Sequence, residues 1–411
     1  MNKNILKTWD ASYEWKAVTL LTIGFGLVGL DRWIIAPLFP VMMKDLNLGY
    51  ADLGNIVAAL GIAWGIFAII MGGLSDKFGR RRIMIPAMVV FSALCGLTGV
   101  ASGLMSLLFV RALMGVFEGA FCPTSIASTS EASKPSRRGF NMGLQQSTFA
   151  LFGLGFGPII ATQLLNVVPS WHWVFFLVAV PGLIIAYLLF RVIREPVHIE
   201  QKTERKSWLE LLLYRNVILA TFGLFGTMTG VFVISAMLPN YLTDYLKLSI
   251  PEMGFVTSAI GFGGFVGYIA IPALSDRLGR KTVSIISFIL AIVFLYLFKG
   301  VGNSPMLLFL LLFMATLFIF GCLCLLAGPI VTEAVPASLI SSAAGIPIGF
   351  GEIFGGGVMP SVAGYVAQNF GIDKILFLAI GGLVVALIIS FFLHETAPVK
   401  IKITKEAAEV G

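Results

Sequence analysis

Five ionisable residues stand where the chain is otherwise apolar: Asp31, Arg32, Arg111, Glu118 and Glu352. A charge at the centre of a bilayer costs at least about 2.5–3.5 kcal/mol on insertion scales. Such residues therefore face an aqueous cavity or one another. Asp31 lies roughly 21 Å into its apolar run at 1.5 Å per helical residue, and Glu118 lies at a similar depth in its own. Arg111 and Glu118 are two helical turns apart and share a face, whereas the neighbours Asp31 and Arg32 point about 100° apart. These residue types suit two kinds of chemistry. Carboxyls in a low-dielectric site exchange protons, because burial favours the neutral form and a nearby guanidinium favours the charged one. Arginines bind carboxylates through a planar two-pronged fork. A substrate anion that occupies an arginine removes the counter-charge of a neighbouring carboxyl, which then takes up a proton. Glu118 is the first candidate for the exchanging site and Asp31 the second, with Arg32 and Arg111 as the anion ligands. The competing reading is a fixed internal network that only holds helices together.

The elements that carry these residues follow from composition. Hydrophobic residues make up 58% of the 411, and charged residues only 12%, about half the usual soluble share. Twelve apolar runs are long enough to span lipid: 17–43, 52–75, 82–101, 104–130, 139–163, 171–194, 214–246, 252–275, 281–300, 304–332, 337–367 and 372–394. Runs of this length predict helices, since only helices and closed barrels satisfy their backbone in hydrocarbon. The expected fold is an all-α membrane protein. The segment before residue 17 is polar and shows no cleavable signal pattern.

Assigning Lys and Arg to alternate sides places 22 on the side of the termini and central loop, against 4 on the other. The positive-inside rule puts the 22 in the cytoplasm. The net charge of +7 thus reflects topology and does not point to nucleic acid. Cys95, Cys122, Cys322 and Cys324 all fall within apolar runs and read as packing residues, so no metal is expected.

The stretch Gly72–Gly73–Leu74–Ser75–Asp76–Lys77–Phe78–Gly79–Arg80–Arg81 returns as Pro272–Ala273–Leu274–Ser275–Asp276–Arg277–Leu278–Gly279–Arg280–Lys281. Pro40 and Pro239, Asp45 and Asp244, Gly61 and Gly261, and Pro158 and Pro360 pair at offsets of 199 to 202. Two six-helix pseudo-repeats in the same orientation follow. The expected boundaries are an N-terminal bundle over 1–194, a charged cytoplasmic linker over 195–211, a C-terminal bundle over 212–395 and a disordered tail over 396–411. The repeat does not extend to the charged set. Asp31 and Arg32 map near Gly230 and Val231, Arg111 and Glu118 near Leu311 and Phe320, and Glu352 near Ala150. The N-half is thus expected to bind charge and the C-half to supply shape. Glu352 reads equally as a second proton site, a substrate ligand or a partner for an arginine. Trp33, beside Arg32, and Gln146, near the start of the fifth span, are further candidates for the substrate cavity, with Trp64, Phe121, Phe149 and Phe354 at similar depth.

The two basic turns resemble the loop motif of the major facilitator superfamily, G-x-L-x-D-[RK]-x-G-R-[RK]. The first copy fits fully and the second has Pro272 in place of its first glycine. Arg111, Gly115 and Gly119 resemble the superfamily's R-x3-G-x3-G pattern, and the likeness covers nearly the whole chain. It implies a monomeric secondary transporter that works by alternating access, without enzymatic activity or cofactor, its coupling ion H+. Asp31–Arg32 with Arg111 and Glu118 resembles the anion:cation symporter branch, which implies symport of a small organic anion across an inner membrane. Gly153-x3-Gly157–Pro158 partly resembles a motif of proton-coupled drug exporters, so an efflux antiporter is the alternative. The resemblance also implies a gating role for Gly72, Asp76, Gly79 and Arg80, and for Asp276, Gly279 and Arg280. Arg80 and Arg280 are the expected partners of the two aspartates, with Glu131 and Glu333 joining at the matching ends of spans four and ten.

Overall fold

The computed structural model describes residues 10–194, 208–211, 213–336, 339–397 and 400. Twelve helices in it are long and apolar enough to cross a membrane. The first half contains α1 (Ala11–Asp45), α2 (Tyr50–Phe78), α3 (Arg80–Thr98), α4 (Leu104–Ala132), α5 (Arg138–Leu165) and α6 (Trp171–Val192). The second contains α7 (Arg215–Tyr245), α8 (Ile250–Leu278), α9 (Arg280–Gly300), α10 (Pro305–Thr332), α11 (Ala343–Phe370) and α12 (Ile372–Phe392). No strand occurs among the described residues. Each of the twelve runs read from the sequence coincides with one helix. The expected linker lies mostly outside the described residues and ends in a short helix, Trp208–Leu211. Thr396 and Ala397, expected in a disordered tail, are buried.

The first helix begins six residues earlier than its apolar run, because Asp10 caps it by accepting from the backbone N–H of Tyr13 at 2.9 Å. That extension carries Glu14 into the protein. Glu14 is fully buried and accepts from Arg137 Nη2 at 2.6 Å, the Lys134 N–H at 3.1 Å and Asn141 Nδ2 at 3.2 Å. A buried carboxylate is tolerated when donors surround it.

Within each half the same mates pack: α2 on α4 in the first, α8 on α10 in the second. Small residues set the approach. A Cβ on Gly115 would fall 2.3 Å from the Leu60 carbonyl, and one on Gly119 would fall 2.6 Å from that of Trp64. The R-x3-G-x3-G spacing therefore brings α4 against the backbone of α2 and places Arg111 at the top of that contact. The halves meet along α2 with α11 and α5 with α8, where Gly54, Gly61 and Gly65 lie on Pro360, Gly356 and Ile353. Those contacts belong to the side away from the termini. There Tyr50 Oη donates to Asp244 Oδ2 at 2.8 Å, and the Tyr50 N–H donates to Gln368 Oε1 at 2.9 Å. On the side of the termini, Gly139 and Gly143 of α5 and Gly345 of α11 have open space where a Cβ would sit. Phe109, Tyr187, Phe190 and Tyr296 point outward, as lipid-facing residues must.

The basic turns join α2 to α3 and α8 to α9. Gly79 and Gly279 hold φ of +96° and +101°, a conformation that side chains with a Cβ rarely adopt, which explains the second glycine of the motif.

Candidate functional site

The charged set sits at the centre, around an interruption of α1 at Ile34. Pro37 lies just beyond and supplies no N–H to the carbonyl of Trp33, four residues back. Arg111 of α4 reaches this point and donates from Nη1 to the main-chain carbonyls of Asp31 at 3.2 Å and Arg32 at 3.0 Å. Its Nε and Nη2 are buried without a hydrogen-bond partner. Arg111 therefore fastens α4 to α1 through backbone and keeps donors in reserve.

Arg32 points the other way, towards the second half. Its Nη2 meets Glu352 Oε2 of α11 at 3.1 Å, and its Nη1 is buried without a partner. The rings of Trp33, Trp64 and Phe232 surround the guanidinium at 5.8, 5.7 and 4.9 Å, a favourable cation–π geometry. Trp33 and Phe232, from opposite halves, also meet at 5.3 Å between ring centres.

Asp31 and Glu118 are fully buried. Asp31 faces Cys95 and Ser92 and lies in the field of Glu118 and Arg111. Glu118 lies in the field of Arg32, Arg111 and Glu352. Neither oxygen of either carboxyl has a hydrogen bond of regular geometry. The indole N–H of Trp33 is likewise buried and unpartnered, whereas that of Trp64 faces Cys122. Beside Arg32, Trp33 and Arg111 lies a gap of about 10 Å³, room for one water.

The structure thus brings together Asp31, Arg32, Trp33, Arg111, Glu118 and Glu352. They meet one another and not an open vestibule, with Glu352 the most exposed at 8%. Of the three readings of Glu352, the geometry is that of an arginine partner. Gln146 is half-buried on α5 and makes no hydrogen bond or ion pair with the set. Its neighbour Gln145 donates to Ser125 Oγ at 3.3 Å. Phe121 packs on Phe91, and Phe354 is 42% exposed beside Phe350, so neither joins the arginines.

At the basic turns, Arg280 Nη1 meets Asp276 Oδ1 at 2.6 Å, and Arg280 holds both oxygens of Glu333, Nη2 to Oε1 at 2.8 Å and Nε to Oε2 at 3.3 Å. Glu395, past α12, accepts from the N–H groups of Arg280 and Lys281 at the start of α9, where a helix N-terminus favours an anion. In the first turn Arg80 Nε meets Glu131 Oε1 at 2.7 Å. The side chain of Asp76 lies outside the described residues. Gly72 faces Pro123 of α4.

Three partners escaped the sequence reading. Glu14 looked like part of a polar leader. Phe232 was one of 34 phenylalanines with nothing to single it out. Asp244 was noticed only as the repeat mate of Asp45, although Tyr50 joins it across the halves.

Comparison with known proteins adds the family. The family model described as Major Facilitator Superfamily matches residues 21–233 and 220–410. A hexuronate transporter of Bacillus subtilis is 30% identical over 264 residues, 62% of each chain, so that match takes in less than two thirds of the relative's length. The sialic acid transporter NanX of Escherichia coli is 27% identical over 380 residues, covering 88% of this chain and 90% of its own. Among solved structures, a bacterial homologue of the human lysosomal transporter Spinster, inward-facing and unoccupied, superposes with a TM-score of 0.73. It is 14% identical and covers 93% of this chain and 97% of its own, a likeness of fold.

Proposed function

The chain belongs to the major facilitator superfamily, and from that membership we propose that it is a proton-coupled symporter of a small organic anion, a carboxylate rich in hydroxyl groups. Relatives named for hexuronate and sialic acid support the acid. The donors left free on Arg32, Arg111 and Trp33 support an oxygen-rich ligand. Two central arginines and relatives named for acids leave the efflux alternative without support. In this reading the protein is a monomer in the inner membrane with both termini in the cytoplasm, and H+ is the coupling ion.

The observation that carries the reading is the state of Asp31 and Glu118. An inert clasp uses its carboxylates, since a buried polar group left without a partner is costly. Here Glu118 has none, and Asp31 has only the neutral Cys95 and Ser92 within reach, an arrangement suited to a carboxyl that gains and loses a proton. Arg32 takes the substrate carboxylate and Arg111 holds the interrupted α1 in place. Glu118 exchanges the proton, with Asp31 as its neighbour in charge. The set is sealed in this conformation, so access comes from rocking of the halves about the glycine-lined α2–α11 and α5–α8 seams. Glu131, Glu333 and the two basic turns gate the side of the termini.

Proteoliposomes test this. A one-unit pH gradient supports about tenfold accumulation per coupled proton. Glu118→Gln is expected to remove that accumulation while retaining part of the substrate counterflow. Unchanged uphill uptake by the variant would reject the assignment.

A further inference from the structure

We propose that Glu352 is a tethered occupant of the carboxylate site on Arg32, and that substrate binds by displacing it. This rests on the reading of Arg32 as the substrate's ligand. The bridge is one-pronged: only Nη2 of Arg32 is engaged, at 3.1 Å, while Nη1 is buried and unpartnered. A free carboxylate can take both prongs, and the two-pronged pairing is the stronger. The incoming anion therefore has an advantage over the resident one at the same guanidinium.

The surroundings of Glu352 fit an occupant that leaves. Its side chain is 11% exposed and that of Arg32 only 3%, so the way out lies on the carboxylate's side. It stands in a π-helical segment, Gly351–Val358, of a kind often found at functional sites. A Cβ on Gly356 would lie 3.0 Å from Glu352 Oε2, so the glycine makes the room in which the carboxylate rests. The position it maps to in the other half, Ala150, is fully buried and uncharged. The second half thus contributes one charge to the centre, placed on the group that the substrate must reach.

Two consequences follow from the physics. In the empty carrier, Glu352 supplies the counter-charge that a buried guanidinium needs and ties the halves across the centre. In the loaded carrier, substrate takes over that pairing. A tethered competitor acts at about millimolar effective concentration, so it screens out anions that engage a single prong. The apparent dissociation constant is the intrinsic one divided by the fraction of time the site is free. A bridge closed about nine-tenths of the time weakens binding about tenfold.

The experiment is calorimetric titration of the purified full-length protein with D-glucuronate and with N-acetylneuraminate. Wild type, Glu352→Gln, Glu352→Asp and Arg32→Ala are compared. Glu352→Gln is expected to tighten binding of at least one acid about tenfold. Glu352→Asp, with a shorter reach, is expected to tighten it by a smaller factor, and Arg32→Ala to weaken it. A gain in affinity does not arise from damaged folding. Unchanged or weaker binding by both Glu352 variants, with Arg32→Ala still weakened, overturns the inference and leaves the Arg32 reading standing. Affinity unaffected by Arg32→Ala, or no binding of either acid by any variant, overturns both.

Discussion

The two halves share one architecture and differ at their centres. Both place a positive-φ glycine after the second helix, at Gly79 and Gly279. Both carry a π-helical segment in the fifth helix of the bundle, at Leu151–Phe156 and Gly351–Val358. Both pair an arginine at the start of the third helix with a glutamate at the end of the fourth or its counterpart, Arg80 with Glu131 and Arg280 with Glu333. At the centre the first half places four buried charges, Asp31, Arg32, Arg111 and Glu118, whereas the second offers Glu352. What repeats is the apparatus of packing and turning, and what does not repeat is the chemistry. A symmetric pair of bundles suits a motion that must run in both directions. An asymmetric centre gives the ligand one orientation within it.

The comparison is broken most severely at Arg111. Arg111→Ala leaves Asp31 and Glu118 with one fewer cation and frees the carbonyls at the interruption of α1. Breaking a buried charged network in this way costs about 3–5 kcal/mol. A large drop in melting temperature in detergent and weakened carboxylate binding are both expected. Leu311→Ala, at the corresponding place in α10, is half-buried and expected to cost less than half as much. Equal losses at the two positions would mean that the centre is not asymmetric in energy.

A smaller contrast separates the basic turns. Arg280 is more buried than Arg80, its side chain 7% exposed against 23%. Arg280→Ala should therefore cost about 1.5–3 kcal/mol, in the range of hydrogen bonds to charged groups. Arg80→Ala, partly exposed, should cost about 0.5–1 kcal/mol. Thermal unfolding of the two variants side by side measures the difference, and a reversed order would refute the ranking.

Much of this was legible in the sequence, for uneven reasons. Twelve spans stand out because lipid demands runs of about 20 apolar residues, and Asp31, Arg32, Arg111, Glu118 and Glu352 stand out because those runs exclude charge. Which charge meets which was not legible. Arg32 and Glu352 are 320 residues apart, and no periodicity links them. Glu14 was lost because a buried carboxylate at a helix start reads like any other residue of a polar end until Arg137 and Asn141 close over it. The basic turns announced their arginines, but the role of Glu395 depends on the chain folding back after α12.

The smallest expected effect lies on the side away from the termini, where the repeat mates Asp45 and Asp244 have diverged. Asp45 accepts from Trp171 Nε1 at 2.9 Å, within its own half. Asp244 accepts from Asn240 Nδ2 at 3.2 Å, and from Tyr50 Oη across the seam. Removing the Tyr50 hydroxyl therefore weakens the closed arrangement of the two halves, while removing the Trp171 donor weakens one bundle only. Tyr50→Phe should shift the opening equilibrium by about 1 kcal/mol, roughly fivefold, for a half-buried hydrogen bond. Trp171→Phe should lower thermal stability without that shift. A cysteine placed at Val41, beside the cavity lined by Pro40, Asp45, Asp244 and Ser249, reports opening through its rate of alkylation. Tyr50→Phe should raise that rate roughly fivefold over the Tyr50 parent, while Trp171→Phe should leave it unchanged. Equal rates in both variants would mean that Asp45 and Asp244 have not taken separate roles, one within a bundle and one between bundles.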